Sequence, residues 1–170
     1  RSVRPATVFT QSEPTRGAPA TRATDVRMII TDDAVVIGAR LSDDPSVFAQ
    51  GTNTPGTPNA LHDDYFEVQL DAHTNHLTAL AFAVSPSGDK QSWMVAHDGS
   101  RDKSWNVHWE AATHMDRDGW TLEIRIPRSE LQVQPGDENW GVQFVRFSYA
   151  RQETDVLSQA TARSTAVSDR

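Results

Sequence analysis

Apolar and polar side chains alternate with a period of two along most of the chain, the repeat that places successive residues on opposite faces of a β-strand. Val26-Arg27-Met28-Ile29-Ile30 and Val35-Val36-Ile37-Gly38-Ala39-Arg40-Leu41 show it on either side of Thr31-Asp32-Asp33-Ala34. Aspartates in such a connection bond neighbouring backbone amides, so the two runs predict a hairpin. In Tyr65-Phe66-Glu67-Val68-Gln69-Leu70, Phe66, Val68 and Leu70 point one way and Tyr65, Glu67 and Gln69 the other. Leu80, Phe82 and Val84 are the inward set of the next run, and the alanines between them predict burial on both sides or close approach of another element. Pro86-Ser87-Gly88-Asp89 ends that run, and Trp93-Met94-Val95-Ala96 predicts a short strand.

Val107, Trp109 and Ala111 alternate with His108 and Glu110. After Asp116-Arg117-Asp118-Gly119, Trp120, Leu122, Ile124 and Ile126 alternate with Thr121, Glu123 and Arg125, which predicts a second hairpin. Pro127-Arg128-Ser129-Glu130-Leu131 suits one helical turn, because proline fits a first helical position. The run 139–149 is apolar on both faces and reads as a central strand. No long stretch keeps helical periodicity. About eight or nine strands without crossover helices predict an all-β, antiparallel β-sandwich.

Composition narrows the picture. At 170 residues the chain fits one domain, and 37% hydrophobic against 23% charged residues allows a core. No run approaches the roughly 20 apolar residues of a membrane helix, so no membrane span is expected. Sixteen basic against 23 acidic residues leave a net charge of −7, with no basic patch for a nucleic acid. The absence of cysteine removes disulfides, thiolate nucleophiles and cysteine metal sites. The first residue is Arg1, which points to processing or to a start inside a longer product. The Gly, Pro and Thr-rich segment 51–59 reads as a surface loop. Residues 1–157 read as the sandwich, and the Ser/Thr/Ala-rich 158–170 as a mobile or partner-bound tail.

A succession of blocks then resembles a known family. They are Phe9-Thr10-Gln11-Ser12-Glu13-Pro14, Val36-Ile37-Gly38-Ala39-Arg40-Leu41, Asp64-Tyr65-Phe66-Glu67-Val68-Gln69-Leu70-Asp71 and Ala81-Phe82-Ala83-Val84-Ser85-Pro86-Ser87-Gly88. Trp105-Asn106-Val107-His108-Trp109-Glu110, Gly119-Trp120-Thr121-Leu122-Glu123-Ile124-Arg125-Ile126-Pro127 and Trp140-Gly141-Val142-Gln143-Phe144 follow in order. Over residues 8–155 the chain resembles the carbohydrate-binding module family 9-like domain found at the amino end of bacterial envelope proteins that continue into an outer-membrane barrel. The resemblance implies a jelly-roll-like sandwich, an extracytoplasmic location in the periplasm or cell envelope, and non-catalytic sugar binding between aromatic rings, with calcium buttressing loops. Against the family pattern, the opening strand is missing or replaced by Arg1-Ser2-Val3-Arg4-Pro5, and the residues stop just after the sandwich. An alternative role is that of a structural subunit docking on the periplasmic face of a membrane protein complex, with the sandwich reused as scaffold.

Candidate chemistry follows from residue type and phase. Indole planes stack on sugar C–H faces while carboxylates, amides and arginines take the hydroxyls. Trp120 and Trp140 are in phase with core positions. Trp93 and Trp105, beside polar segments, are the better platforms; Trp109, Arg125 and Gln143 complete the ligand-binding set, although the phase of Trp109 also suits the core. Asp63 and Asp64 before one strand, and Asp98 and Asp102 at alternating loop positions, are the candidate calcium ligands. Their competing reading is a solvated turn. His73-Thr74-Asn75-His76 reads as a polar turn rather than a zinc site. His108, Glu110 and His114 share one solvent-facing strand face. Glu67 and Glu123 could flank a glycosidic bond, but both occupy outward strand positions where charges are ordinary. No nucleophile elbow or phosphate loop is present, so no enzyme is expected.

Overall fold

The computed structural model describes residues 4–44, 64–71, 78–131 and 139–163. Segments 51–59 and 158–170, Asp63 and the histidine pair His73 and His76 therefore lie wholly or partly outside the described residues. The alternating runs form strands β2 (Thr24–Ile30), β3 (Ala34–Ser42), β4 (Tyr65–Asp71), β5 (Thr78–Val84), β6 (Lys90–Ala96), β8 (Glu110–Asp116), β9 (Gly119–Pro127) and β10 (Asn139–Ser148). Three more strands appear without such a pattern: β1 (Thr10–Glu13), β7 (Arg101–Asp102) and β11 (Glu153–Arg163). The expected helical turn is a 3-10 helix, Arg128–Leu131, with Leu131 buried.

The strands make two antiparallel sheets, one ordered β1-β11-β10-β4-β5-β6-β7 and the other β2-β3-β9-β8. Both predicted hairpins are present. In the first, Thr31 Oγ1 accepts from Ala34 N at 3.0 Å and lies 2.6 Å from Asp33 Oδ1. In the second, Asp116 pairs with Gly119 across a two-residue loop. Gly119 has φ 138°, and a Cβ on it would meet the Leu41 carbonyl oxygen at 2.0 Å, so only glycine fits.

The core lies between the sheets. Phe66, Val68, Leu70, Phe82, Val84, Trp140, Val142 and Phe144 face Val26, Ile30, Val35, Ile37, Leu41, Trp120, Leu122, Ile124 and Ile126. Burial of each such side chain contributes about 1.5–3 kcal/mol, which is why the period-two pattern dictates the sandwich. The strand expected from Val107 begins instead at Glu110. The preceding residues are anchored through rings, since Trp105 and Trp109 meet Phe82 edge-on at 5.7 and 5.4 Å.

At one end, a charged tie joins the sheets. Arg146 of β10 donates to the carbonyls of Ala23 and Ser42, to Thr24 Oγ1 and, at 2.8 Å, to Asp43 Oδ2. Arg151 binds the same carboxylate. Burial works against ionising Asp43, but the Arg151 hydrogen bond and the fields of both arginines hold its carboxyl below the usual carboxylate value. β11 extends to Arg163, six residues into the span expected as a tail. Its side chains at 153 and 155 point inward toward this tie, so the first inward positions are acidic and only Leu157, opposite Phe144, packs against the core.

Candidate functional site

The outward face of the four-stranded sheet is ordinary: His114, Glu123 and Ala112 are exposed, Arg125 pairs with Asp33 at 2.7 Å, and Arg40 pairs with Asp116. The outward face of the seven-stranded sheet differs. Register places Gln143, Gln69, Ala81 and Trp93 in one row across β10, β4, β5 and β6. The next row is Val145, Glu67, Ala83 and Gln91, and Tyr65 lies opposite Phe147, their rings stacked at 5.3 Å. Ala81, Ala83 and Trp93 form a second apolar cluster on this face, with Tyr65 and Val95 against it.

The alanines of β5 explain the geometry. Methyl groups leave room for the large side chains of β4, β6 and β7 to close over that strand. Glu67 and Arg101 sit on strands three spacings apart, about 14 Å, yet Glu67 Oε2 and Arg101 Nη2 come within 3.9 Å. On the way, the Arg101 guanidinium lies over Trp93, its Cζ 4.8 Å from the ring centroid. Glu67 is 1% exposed and Trp93 fully buried, although both point away from the sandwich core. The expectation that Glu67 is a solvated outward charge is corrected by this closure.

Glu67 Oε1 accepts from Gln69 Nε2 at 2.6 Å. Its Oε2 has no hydrogen-bond partner, and neither does Trp93 Nε1. Burial pushes the Glu67 carboxyl above its ordinary value, against the opposing Gln69 hydrogen bond and Arg101 charge. Burial, and then the Glu67 charge, push the Tyr65 hydroxyl up as well. A buried acceptor or donor left unpaired costs about 1–3 kcal/mol. One of each on a single outward face is a feature that points to a ligand.

The candidate ligand set divides accordingly. Trp93 and Gln143 are on this face. Trp109 is 3% exposed in the main core, where Lys90 donates to its carbonyl, and Trp105 packs half-buried against that core. Both indoles are held by Phe82, inside the sandwich. Arg125 lies on the outward face of the other sheet, because β9 pairs with β3 and β8 and not with β10. These three residues are thus not brought together with Trp93. Tyr65, Glu67, Gln69 and Arg101 were not in the set. The alanine alternation on β5 was the available signal, since it marked the second face as buried.

The candidate calcium ligands are also dispersed. Asp64 Oδ1 accepts from Tyr149 N at 2.7 Å, and burial pushes this carboxyl up. Asp98 and Asp102 accept from Ser100 N and Ser104 N, each at 2.9 Å, within their own turns, and the serine hydroxyls, followed by these backbone bonds, hold both carboxyls low. Among the described residues, no three histidine or acidic side chains converge as a metal would require.

Neither a family model nor a curated protein sequence matches the chain. Solved structures do match. A carbohydrate-binding module of family 9 from Caldicellulosiruptor kristjanssonii in complex with cellotriose aligns with a TM-score of 0.61 and 17% identity, over 92% of this chain and 72% of that one. The same organism's family 9 module in complex with glucose aligns at 0.59 and 15%, over 92% and 73%. A protein from Bacteroides uniformis described as a candidate carbohydrate-binding protein aligns at 0.61 and 14%, over 99% and 80%. The chain therefore has the fold of the family 9 carbohydrate-binding modules. The jelly-roll-like sandwich expected from the sequence is the architecture present.

Proposed function

We propose that this chain is a non-catalytic carbohydrate-binding module that works outside the cytoplasm, in the periplasm or cell envelope, and binds its ligand over Trp93 and Glu67. A buried acceptor without a hydrogen bond, Glu67 Oε2, beside a buried donor without one, Trp93 Nε1, carries the reading. A saccharide offers both complements: hydroxyl protons for the carboxylate, and ring or hydroxyl oxygens for the indole N–H. Cellotriose and glucose complexes of family 9 modules from one organism, with the same fold, support it. Against catalysis, Glu67 and Glu123 point outward from different sheets, so they cannot flank one glycosidic bond.

The docking alternative has less behind it. The large apolar side chains exposed among the described residues, Val8, Ile29, Met115 and Tyr149, come from four separate segments.

Isothermal titration with glucose, cellotriose and other neutral and amino-bearing oligosaccharides, with and without calcium, tests the proposal. Saccharide binding is expected, and Trp93→Ala is expected to weaken it on the order of tenfold or more, about 1.4 kcal/mol. No binding across the panel, in a protein shown to be folded, overturns the reading.

A further inference from the structure

The guanidinium of Arg101 already occupies the space between Trp93 and Glu67, with the aromatic face at 4.8 Å and the carboxylate oxygen at 3.9 Å. That is the setting a partly desolvated cation requires. The occupant reaches this place from the exposed rim, where its contacts are Trp93, Glu67 and the Tyr65 hydroxyl. Arg101 sits on the two-residue edge strand β7, its side chain is 40% exposed, and residues 97–100 and 102–104 around it are exposed. It does not complete the site, since Glu67 Oε2 and Trp93 Nε1 both stay without a hydrogen bond beneath it. Glu67, by contrast, is fixed on an interior strand and tied to Gln69.

A ligand that reaches these atoms must displace Arg101 from the indole. Displacement by a neutral group would leave the Glu67 carboxylate in a poorly hydrated place without its nearby positive charge, which is costly. Displacement by a cationic group restores the balance. We propose that the ligand is an amino sugar: its protonated amine replaces the Arg101 guanidinium over Trp93 and donates to Glu67 Oε2. The proposal rests on the carbohydrate reading and gives it a substrate class. The net charge of −7 favours the same class, because it attracts cationic oligosaccharides and repels uronates and sulfated sugars.

Titration calorimetry on the whole chain, in slightly acidic buffer, would compare the glucosamine trisaccharide, its N-acetylated counterpart and cellotriose, with spermidine as an acyclic polycation. The glucosamine trisaccharide is expected to bind at least tenfold more tightly than either neutral trisaccharide. Glu67→Gln, nearly isosteric and checked for folding by its melting curve, is expected to erase that preference. Arg101→Ala, at an exposed edge, is expected to tighten glucosamine binding several-fold by removing the competing cation. Equal or tighter binding of the neutral sugars overturns the amino-sugar proposal and leaves the carbohydrate reading intact. So does a preference that survives Glu67→Gln, or spermidine binding as tightly, since either places the cation elsewhere. No saccharide binding by wild type or by Arg101→Ala overturns both.

Discussion

Asp155 and Glu153 lie two residues apart on β11, on the side that faces Arg146. Glu153 accepts from the backbone N and the hydroxyl of Thr21, while Asp155 Oδ1 is buried without a partner. Burial, followed by the charge and hydrogen bond of Glu153, pushes the Asp155 carboxyl up to about 7, against the pull of Arg146 and Arg151. An unfolded Asp titrates near 3.8. Between about pH 4 and pH 7 the folded chain thus holds a proton that the unfolded chain has lost. The Asp155 contribution to stability is complete below that window and falls away as pH rises through it. Asp155→Asn keeps a neutral donor beside Glu153 and removes the titration. Denaturant melts from pH 4 to pH 8 are expected to show the variant more stable by about 1–2 kcal/mol at the alkaline end, with the gap closing toward acid. A variant less stable than wild type at every pH would mean that Asp155 is ionised and paired in the folded chain.

Among the elements, the β8–β9 hairpin is the most constrained. Gly119→Ala places a methyl group against the Leu41 carbonyl, which is backbone on the neighbouring strand and cannot yield. A loss of about 3 kcal/mol is expected in chemical denaturation, against a few tenths for the same change at an open glycine such as Gly38. Elements of this kind were legible because turn chemistry and period-two burial agree with each other. Strand β11 was not legible. Its inward positions 153 and 155 are acidic, Glu153 accepting from Thr21 and Asp155 lying opposite Arg146, and an apolar period cannot reveal them. Strand β7 has only two residues, too few to show any period.

For the whole molecule, stacking of the two sheets depends on Asp43 as well as on the core. Its fully buried carboxylate is shared by Arg146, 3% exposed, and Arg151. Asp43→Ala removes the carboxylate hydrogen-bonded to a buried guanidinium, which costs about 3–5 kcal/mol. For a domain of this size that amounts to a fall in Tm of about 10 °C, measurable by calorimetry. The sandwich as a whole was readable from alternation, because that pattern is a direct record of burial between two layers. The candidate site was only partly readable. Trp93 and Gln143 stood out as residue types, but their association with Glu67 and Arg101 arises from strand order, and from how far side chains reach across a strand of alanines.

Of the five tryptophans, Trp93 alone belongs to the outer apolar cluster; the others pack in or against the core between the sheets. The chain is thereby equipped with an optical gauge. Four indoles supply a steady fluorescence background, and the emission of the fifth responds to whichever group rests on its ring, so occupancy can be followed by light without attaching a dye.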